Sequence, residues 1–296
     1  MTPAMHPVHA GTGWAPTSSC SPGCLPPDDA RQVPWVRVGV RLTGLAAVLL
    51  GTLLGAALPA GRARERWLRA CCRVALHAAG VRLHVTGDPR FADGGGALVV
   101  ANHLSWIDVL ALGAVQPVRM LAKREVRDWP VIGGLAVRTG ALFVDRAGLH
   151  GLPGTVAATA DAMRCGAVVG VFPEGTTWCG AGAGPFRRAA FQAAIDAGVP
   201  VRPVAVALRL PGGTPAPAAA FVGDQTLWDS VCRVLRMPAL LCELTVLPTI
   251  PAGAGADRRE LAATAGELVG SVTGVVHPAA GRRTAGAPGA VLAAVA

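Results

Sequence analysis

Ala97-Leu98-Val99-Val100-Ala101-Asn102-His103-Leu104-Ser105-Trp106-Ile107-Asp108 is the stretch on which the fold turns. Its first five residues are an apolar run of strand length, and after Ser105 the apolar residues continue in a helical pattern. A strand that feeds directly into a helix is the repeating unit of α/β proteins, in which ligands bind beyond the carboxyl ends of the strands. His103 therefore falls where such a sheet carries its chemistry. Outward from here the alternation repeats. Strands are expected at 82–86, 97–101, 118–122, 140–144, 167–172, 201–208 and 243–247, and helices at 105–115, 153–165, 185–197, 225–235 and 257–273. The expected fold is α/β: a mixed, largely parallel sheet flanked by helices, over 81–275. Residues 276–296 read as a flexible tail.

Upstream of the sheet the pattern changes. Residues 1–33 are rich in Pro, Gly, Ser and Thr without a period, and read as a structureless leader. Leu42 to Ala60 carries no charge, and at ~1.5 Å per residue such a helix is about 28 Å long, enough for a hydrocarbon core. Arg41 precedes it and Arg62, Arg64, Arg66, Arg69 and Arg73 follow, the flanking pattern of a membrane anchor with its basic side in the cytoplasm. Gly51 and Gly55 form a GxxxG, a weak dimerisation signal. Residues 62–79 read as a second helix, with Arg62, Arg66, Arg69 and Arg73 on one face for an anionic headgroup layer. Residues 34–80 are thus a membrane-associated helix pair, and the expected location is the cell membrane with the α/β domain on its cytoplasmic side.

Composition narrows the function. Hydrophobic residues make 52% of 296 and charged residues only 15%, which excludes a disordered chain. The net charge of +9 rests almost wholly on Arg, Lys123 being the single lysine, and there is no Tyr to stack on bases. That pattern fits a membrane surface or an anionic substrate and argues against nucleic acid. The eight cysteines show no CxxC and no Cys/His spacing for zinc, so they read as reduced, mostly buried thiols.

Four segments carry the chemistry. Asp108 follows His103 by five residues, about 1.4 helical turns, so a turn after the strand can bring its carboxylate to the ring. A carboxylate on one ring nitrogen fixes the tautomer and leaves His103 as a general base. Phe172-Pro173-Glu174-Gly175-Thr176 follows another strand, and Pro173 and Gly175 force a turn with exposed backbone N–H groups suited to an oxyanion or phosphate. Gly140 to Arg146 is a third strand ending in a cation whose fork fits phosphate. In Val201-Arg202-Pro203 the proline implies an edge strand or a bulge. No G-x-S-x-G, P-loop or H-E-x-x-H occurs.

Taken together the four segments resemble the glycerolipid acyltransferase family. N-H-x-[ST]-x-x-D is matched by Asn102, His103, Ser105 and Asp108; G-x-x-F-x-x-R by Gly140, Phe143 and Arg146; F-P-E-G-T by Phe172 to Thr176; and an apolar run ending in Pro at Val201 to Pro203. The resemblance covers 82–247. It implies a catalytic pair His103 and Asp108, and substrate contacts at Asn102, Ser105, Arg146, Glu174, Gly175 and Thr176, with Lys123, Arg187 and Arg188 as further cations. It implies acyl-CoA or acyl carrier protein as donor, a lysolipid acceptor, a membrane lipid surface as partner, and no cofactor or metal. The foremost acceptor is 1-acylglycerol-3-phosphate. A phosphate-free lysolipid, such as a lyso-amino-acid lipid, is the alternative, with a thioesterase-like hydrolase or a membrane scaffold further off. One departure stands out: Thr177 and Trp178 follow the third motif where the family often has Arg-Ser.

Overall fold

The structure, a computed structural model, describes residues 16–26, 32–59, 61–145 and 150–280. Seven strands form one sheet: β1 (Val81–Gly87), β2 (Ala97–Ala101), β3 (Arg119–Lys123), β4 (Leu142–Val144), β5 (Val168–Val171), β6 (Val201–Arg209) and β7 (Leu240–Val246). Their order is β1-β7-β6-β2-β5-β3-β4. Every neighbouring pair is parallel except β6 with β7. This is the mixed, largely parallel sheet expected, and β2, with the strand-to-helix turn, lies at its centre.

Period-2 alternation along β2 divides the core. Val99 and Ala101 face one layer, built from α2 (Arg62–Ala78), α3 (Trp106–Val115) and α7 (Leu227–Arg236). Leu98 and Val100 face the other, built from α5 (Leu152–Arg164), α6 (Ala189–Ala197) and α8 (Arg258–Thr273). Because β2 is buried on both faces, it reads as an unbroken apolar run. A short helix, α4 (Ile132–Arg138), escaped the sequence reading. Its seven residues include Gly133 and Gly134, poor helix formers that hide the periodicity.

Pro203 takes the second of its two expected settings, a bulge. It sits in β6, an interior strand paired with Val100 of β2, not at an edge. The ladder itself is irregular there: Val201 opposes Ile250 and Val204 opposes Val246, so the β7 side carries one extra residue. Pro203 offers only its carbonyl, which accepts from the Leu247 N–H at 3.0 Å. The bulge is what allows a residue without an N–H to stand inside a sheet.

α1 (Trp35–Ala56) starts after Pro34, earlier than the charge-free run, and stops short of Pro59. It is long and apolar enough to cross a membrane, and almost none of it is buried against the rest of the chain. Arg37 and Arg41 therefore lie within the helix, not before it. Arg41 donates to the carbonyls of Leu235, Met237 and Pro238 at 2.6–3.1 Å, closing the exposed end of α7 and fastening α1 to the domain. The arginines of α2 are also divided in use. Arg69 and Arg73 each donate through Nε to Ala114 O at the end of α3, at 3.1 and 3.0 Å, while Arg62 and Arg66 stay exposed.

The Gly51/Gly55 face is occupied by the chain's own α2. Trp67 Nε1 donates to Gly51 O at 2.8 Å, and a Cβ on Gly55 would stand 1.9 Å from Trp67 Cδ1. The GxxxG thus serves an intramolecular helix hairpin. Gly55→Val should force the indole away and lower the melting temperature in detergent. An overpacking cost of ~1–3 kcal/mol corresponds to roughly 2–12 °C at ~2–4 °C per kcal/mol. An unchanged melting curve would show that the hairpin contributes nothing to stability.

Residues 16–26, inside the stretch read as a structureless leader, lie against the domain. Pro16 rests on Gly175 and Pro22 on Gly223; a Cβ at either glycine would meet the proline ring at 2.7 or 2.9 Å. Proline and small residues carry no periodicity, which is why the sequence reading left them out.

Candidate active site

β2 and β5 are parallel neighbours, so their carboxyl ends present Asn102-His103 and Phe172-Pro173-Glu174-Gly175 side by side. Asn102 ends the strand by pairing with Val206 of β6: Nδ2 donates to Val206 O at 2.9 Å and Oδ1 accepts from Val206 N at 2.8 Å. The chain then turns, and Ser105 opens α3 as its N-cap. Asp108, in the first turn of α3, is fully buried. Its Oδ2 accepts from Leu104 N at 2.6 Å and Ser105 N at 2.8 Å, and lies 2.8 Å from His103 Nδ1. The five-residue spacing works because the Asp108 carboxylate closes the turn on itself, and the His103 ring is held by the same oxygen.

The imidazole is fixed on its faces as well. It stacks on Phe172 with centroids 3.8 Å apart and planes 3° from parallel. With Nδ1 engaged by Asp108, Nε2 is the ring nitrogen that remains, on a side chain 20% exposed. An Asp–His pair with an accessible Nε2 is the arrangement of a general base.

Glu174 is 3% exposed and accepts from His103 N at 2.7 Å and Gly184 N at 3.0 Å. Each of its oxygens accepts from a backbone donor, so the side chain joins the two motifs as a strut. Gly175 turns the chain at φ +75°, a conformation that side chains with a Cβ rarely adopt. Trp178 N donates to His103 O at 2.8 Å, and the Thr177 hydroxyl donates to Phe221 O, so the residues that replace Arg-Ser are used to tie the loop down.

Burial pushes the Glu174 carboxyl up to about 8, against the opposing pull of the His103 and Gly184 amides, with the nearby Asp108 charge raising it further. A carboxyl raised in the fold from ~4.5 binds more protons folded than unfolded in that interval, so its contribution is complete below about pH 4.5 and fades as the pH rises through about 8. Glu174→Gln cannot titrate. Its stability deficit relative to the wild type should therefore shrink between pH 5 and pH 8, read as the difference in melting temperature. A constant difference across that range would refute the assignment.

His277 escaped the sequence reading, which placed it in the flexible tail. Its side chain is 2% exposed. Nδ1 lies 3.0 Å from Gly184 O and 3.7 Å from Glu174 Oε1, and the ring meets Phe186 edge-on at 4.5 Å. Burial lowers its pKa. The signal was a lone His after a helix-ending glycine, too short to find.

The expected cations are distributed unevenly. Arg187 lies in the extended segment before α6, not on a helix. Its N–H donates to Pro173 O at 3.0 Å, and its Nε is 3.6 Å from where a Cβ on Gly175 would stand. Arg188 is the N-cap of α6. Lys123 ends β3, two strands from β2 at the same edge of the sheet, with Nζ 5.6 Å from the Trp129 ring centroid. Arg146 lies outside the described residues. Thr176 follows Gly175 in the turn and is half-buried. The structure thus brings together Asn102, His103, Ser105, Asp108, Glu174, Gly175, Thr176 and Arg187, and leaves Lys123 further along the edge.

The His103–Asp108 pair and the Phe172–Thr176 turn sit side by side at the carboxyl edge of the sheet, in the order of the acyltransferase motifs. The chain belongs to the acyltransferase family, whose model, described as Acyltransferase, matches residues 82–207. Among its relatives is a lyso-ornithine lipid O-acyltransferase from Pseudomonas aeruginosa, 38% identical over 64% of this chain and 72% of that one. A 1-acyl-sn-glycerol-3-phosphate acyltransferase from Neisseria gonorrhoeae is 36% identical over 68% of this chain and 78% of that one. The fold is that of the crystal structure of the 1-acyl-sn-glycerophosphate (LPA) acyltransferase PlsC from Thermotoga maritima. That match has a TM-score of 0.62 over 81% of this chain and 94% of the other, at 18% identity.

Proposed function

We propose that this enzyme serves lipid biosynthesis by transferring an acyl chain from acyl-CoA or acyl carrier protein to the free hydroxyl of a lysolipid, foremost 1-acylglycerol-3-phosphate, giving phosphatidic acid. His103 Nε2 takes the hydroxyl proton as the oxygen attacks the thioester carbonyl, and Asp108 supports the imidazolium that forms. The tetrahedral oxyanion is stabilised by backbone N–H groups at the Gly175 turn. Collapse expels the thiolate of the donor; a thiol of pKa ~8.5 leaves readily, so no strong acid is required. α1 anchors the enzyme in the membrane, and the Arg-rich start of α2 favours a cytoplasmic catalytic domain.

The observation that carries the choice of acceptor is the position of Arg187 beside Gly175. Thr177 removes one cation from the third motif, and the Arg187 guanidinium stands at the same turn. Its planar fork suits a phosphate monoester, and Arg146 is retained in the sequence. Arg187→Ala should raise KM for 1-acylglycerol-3-phosphate about tenfold or more, since hydrogen bonds to charged groups contribute ~1.5–3 kcal/mol. A second reading has its own support, because a lyso-ornithine lipid O-acyltransferase is as similar to this chain as the glycerophosphate enzyme. A competition assay with the two lysolipids at equal concentration decides between them. Preference for the phosphate-free lipid by tenfold, about 1.4 kcal/mol in transition-state binding, would make it the substrate.

A further inference from the structure

Three of the eight cysteines meet: Cys20 and Cys24, four residues apart, and Cys179, far from both in the chain. Cys20 and Cys24 come from the N-terminal segment and Cys179 from the loop after the Gly175 turn. Their three Sγ atoms all lie within 4.8 Å of one another. The geometry is built locally. Ser21 caps a single 3-10 turn, Pro22–Cys24, closed by Cys24 N to Ser21 O at 2.9 Å, which brings the two N-terminal thiols together. Pro22 seats that turn on Gly223. Opposite, the Cys179 N–H donates to Cys20 Sγ at 3.3 Å, the kind of contact that supports a thiolate ligand. By contrast Cys165 is exposed at the end of α5, and Cys242 is the one fully buried cysteine of the eight, against the expectation of mostly buried thiols.

Packed thiols of this kind are a poor arrangement for metal-free thiolates. Three thiolate charges held within 4.8 Å of one another repel at close range. A soft cation reverses that balance, because sulfur ligands bind as thiolates and their repulsion is offset by the ion's charge. At a Zn–S distance of ~2.3 Å, tetrahedral ligand sulfurs are about 3.8 Å apart, so the observed cluster need contract by no more than about 1 Å. Cys24 is exposed, which gives an ion a route in.

We propose that Cys20, Cys24 and Cys179 form a three-thiolate site for a soft d10 cation, Zn2+ or Cu+. Loading exchanges three thiol protons for the ion; Zn2+ completes its shell with a water molecule, whereas Cu+ is satisfied by three sulfurs. The ion would clasp residues 20–24 to the loop whose Trp178 N–H holds His103 O. It would also keep Pro16 on Gly175, at the turn that bears Arg187. The site needs neither the acceptor nor the donor, so it stands apart from the acyltransferase reading.

The full-length chain, purified in detergent under reducing conditions, is titrated with Zn2+ and, separately, with Cu+. We expect about one ion per chain with one or both. Co2+ used in place of Zn2+ should give sulfur-to-metal charge-transfer absorption. Losing even an outer-shell partner costs ~10–100-fold in metal affinity, so Cys20→Ser, Cys24→Ser and Cys179→Ser should each weaken binding by more than that, while Cys165→Ser binds as the wild type does. Circular dichroism confirms that each variant is folded. Three results would overturn the proposal: less than a tenth of an equivalent of either ion on the wild-type chain; equal binding by the three variants and the wild type; or peptide mapping after purification in air that finds Cys179 joined in a disulfide to Cys20 or Cys24 and not reopened by reductant.

Discussion

His103→Ala should lower kcat by ~100- to 10,000-fold, the usual worth of a positioned general base. KM for the acyl donor should change little, because the lost interaction is made only while the hydroxyl proton is in transit. The protein should stay folded. His103 contributes its backbone N–H to Glu174 and its carbonyl to Trp178, and an alanine keeps both. What goes is the ring, 20% exposed, and its stack on Phe172, worth ~0.5–1.5 kcal/mol beyond burial. Steady-state assays with circular dichroism on the same preparation separate the two effects. A folded variant with near wild-type turnover would remove His103 from the mechanism and require another base.

Much of this site is legible in the sequence. The apolar run 97–101 has the length of a strand, and the switch to helical spacing after Ser105 marked the turn at its carboxyl end. The His103–Asp108 spacing then fixed the pair, because a carboxylate at N3 of a helix reaches back to the residues before its cap. Glu174 was found for its motif, but its backbone partners were not. Nothing local tells a carboxylate whether it meets a substrate or the backbone of residue 103, since that contact crosses from one strand to the next. His277 and the cysteine cluster were invisible for the same reason. Each joins segments far apart in the chain, and only the packing of α8 and of residues 16–26 brings them in. The Gly51/Gly55 motif shows the converse: small residues legible as a helix-packing face, whose partner within the chain, Trp67, the motif alone does not name.

Asp108→Asn should cost nearly as much turnover as loss of the histidine while leaving α3 in place. Asp108 Oδ2 accepts from two backbone amides, Leu104 and Ser105, and holds His103 Nδ1, in a fully buried setting. An asparagine must decide which end faces those donors. Turning its NH2 toward them would leave two buried N–H groups opposed, at ~1–3 kcal/mol each. Its oxygen will therefore stay, and the turn that begins α3 should survive. The ring then retains a neutral acceptor at Nδ1 but no negative charge to stabilise the imidazolium formed as Nε2 takes the proton. In serine proteases the same change lowers kcat ~10,000-fold; a thiolate leaving group asks less of the imidazolium, so a loss of about 1,000-fold is the expected order here. The melting temperature measured beside kcat discriminates between roles. A variant that melts much earlier yet keeps more than a tenth of wild-type turnover would mean that the carboxylate serves the helix start alone, and that His103 acts without a charged partner.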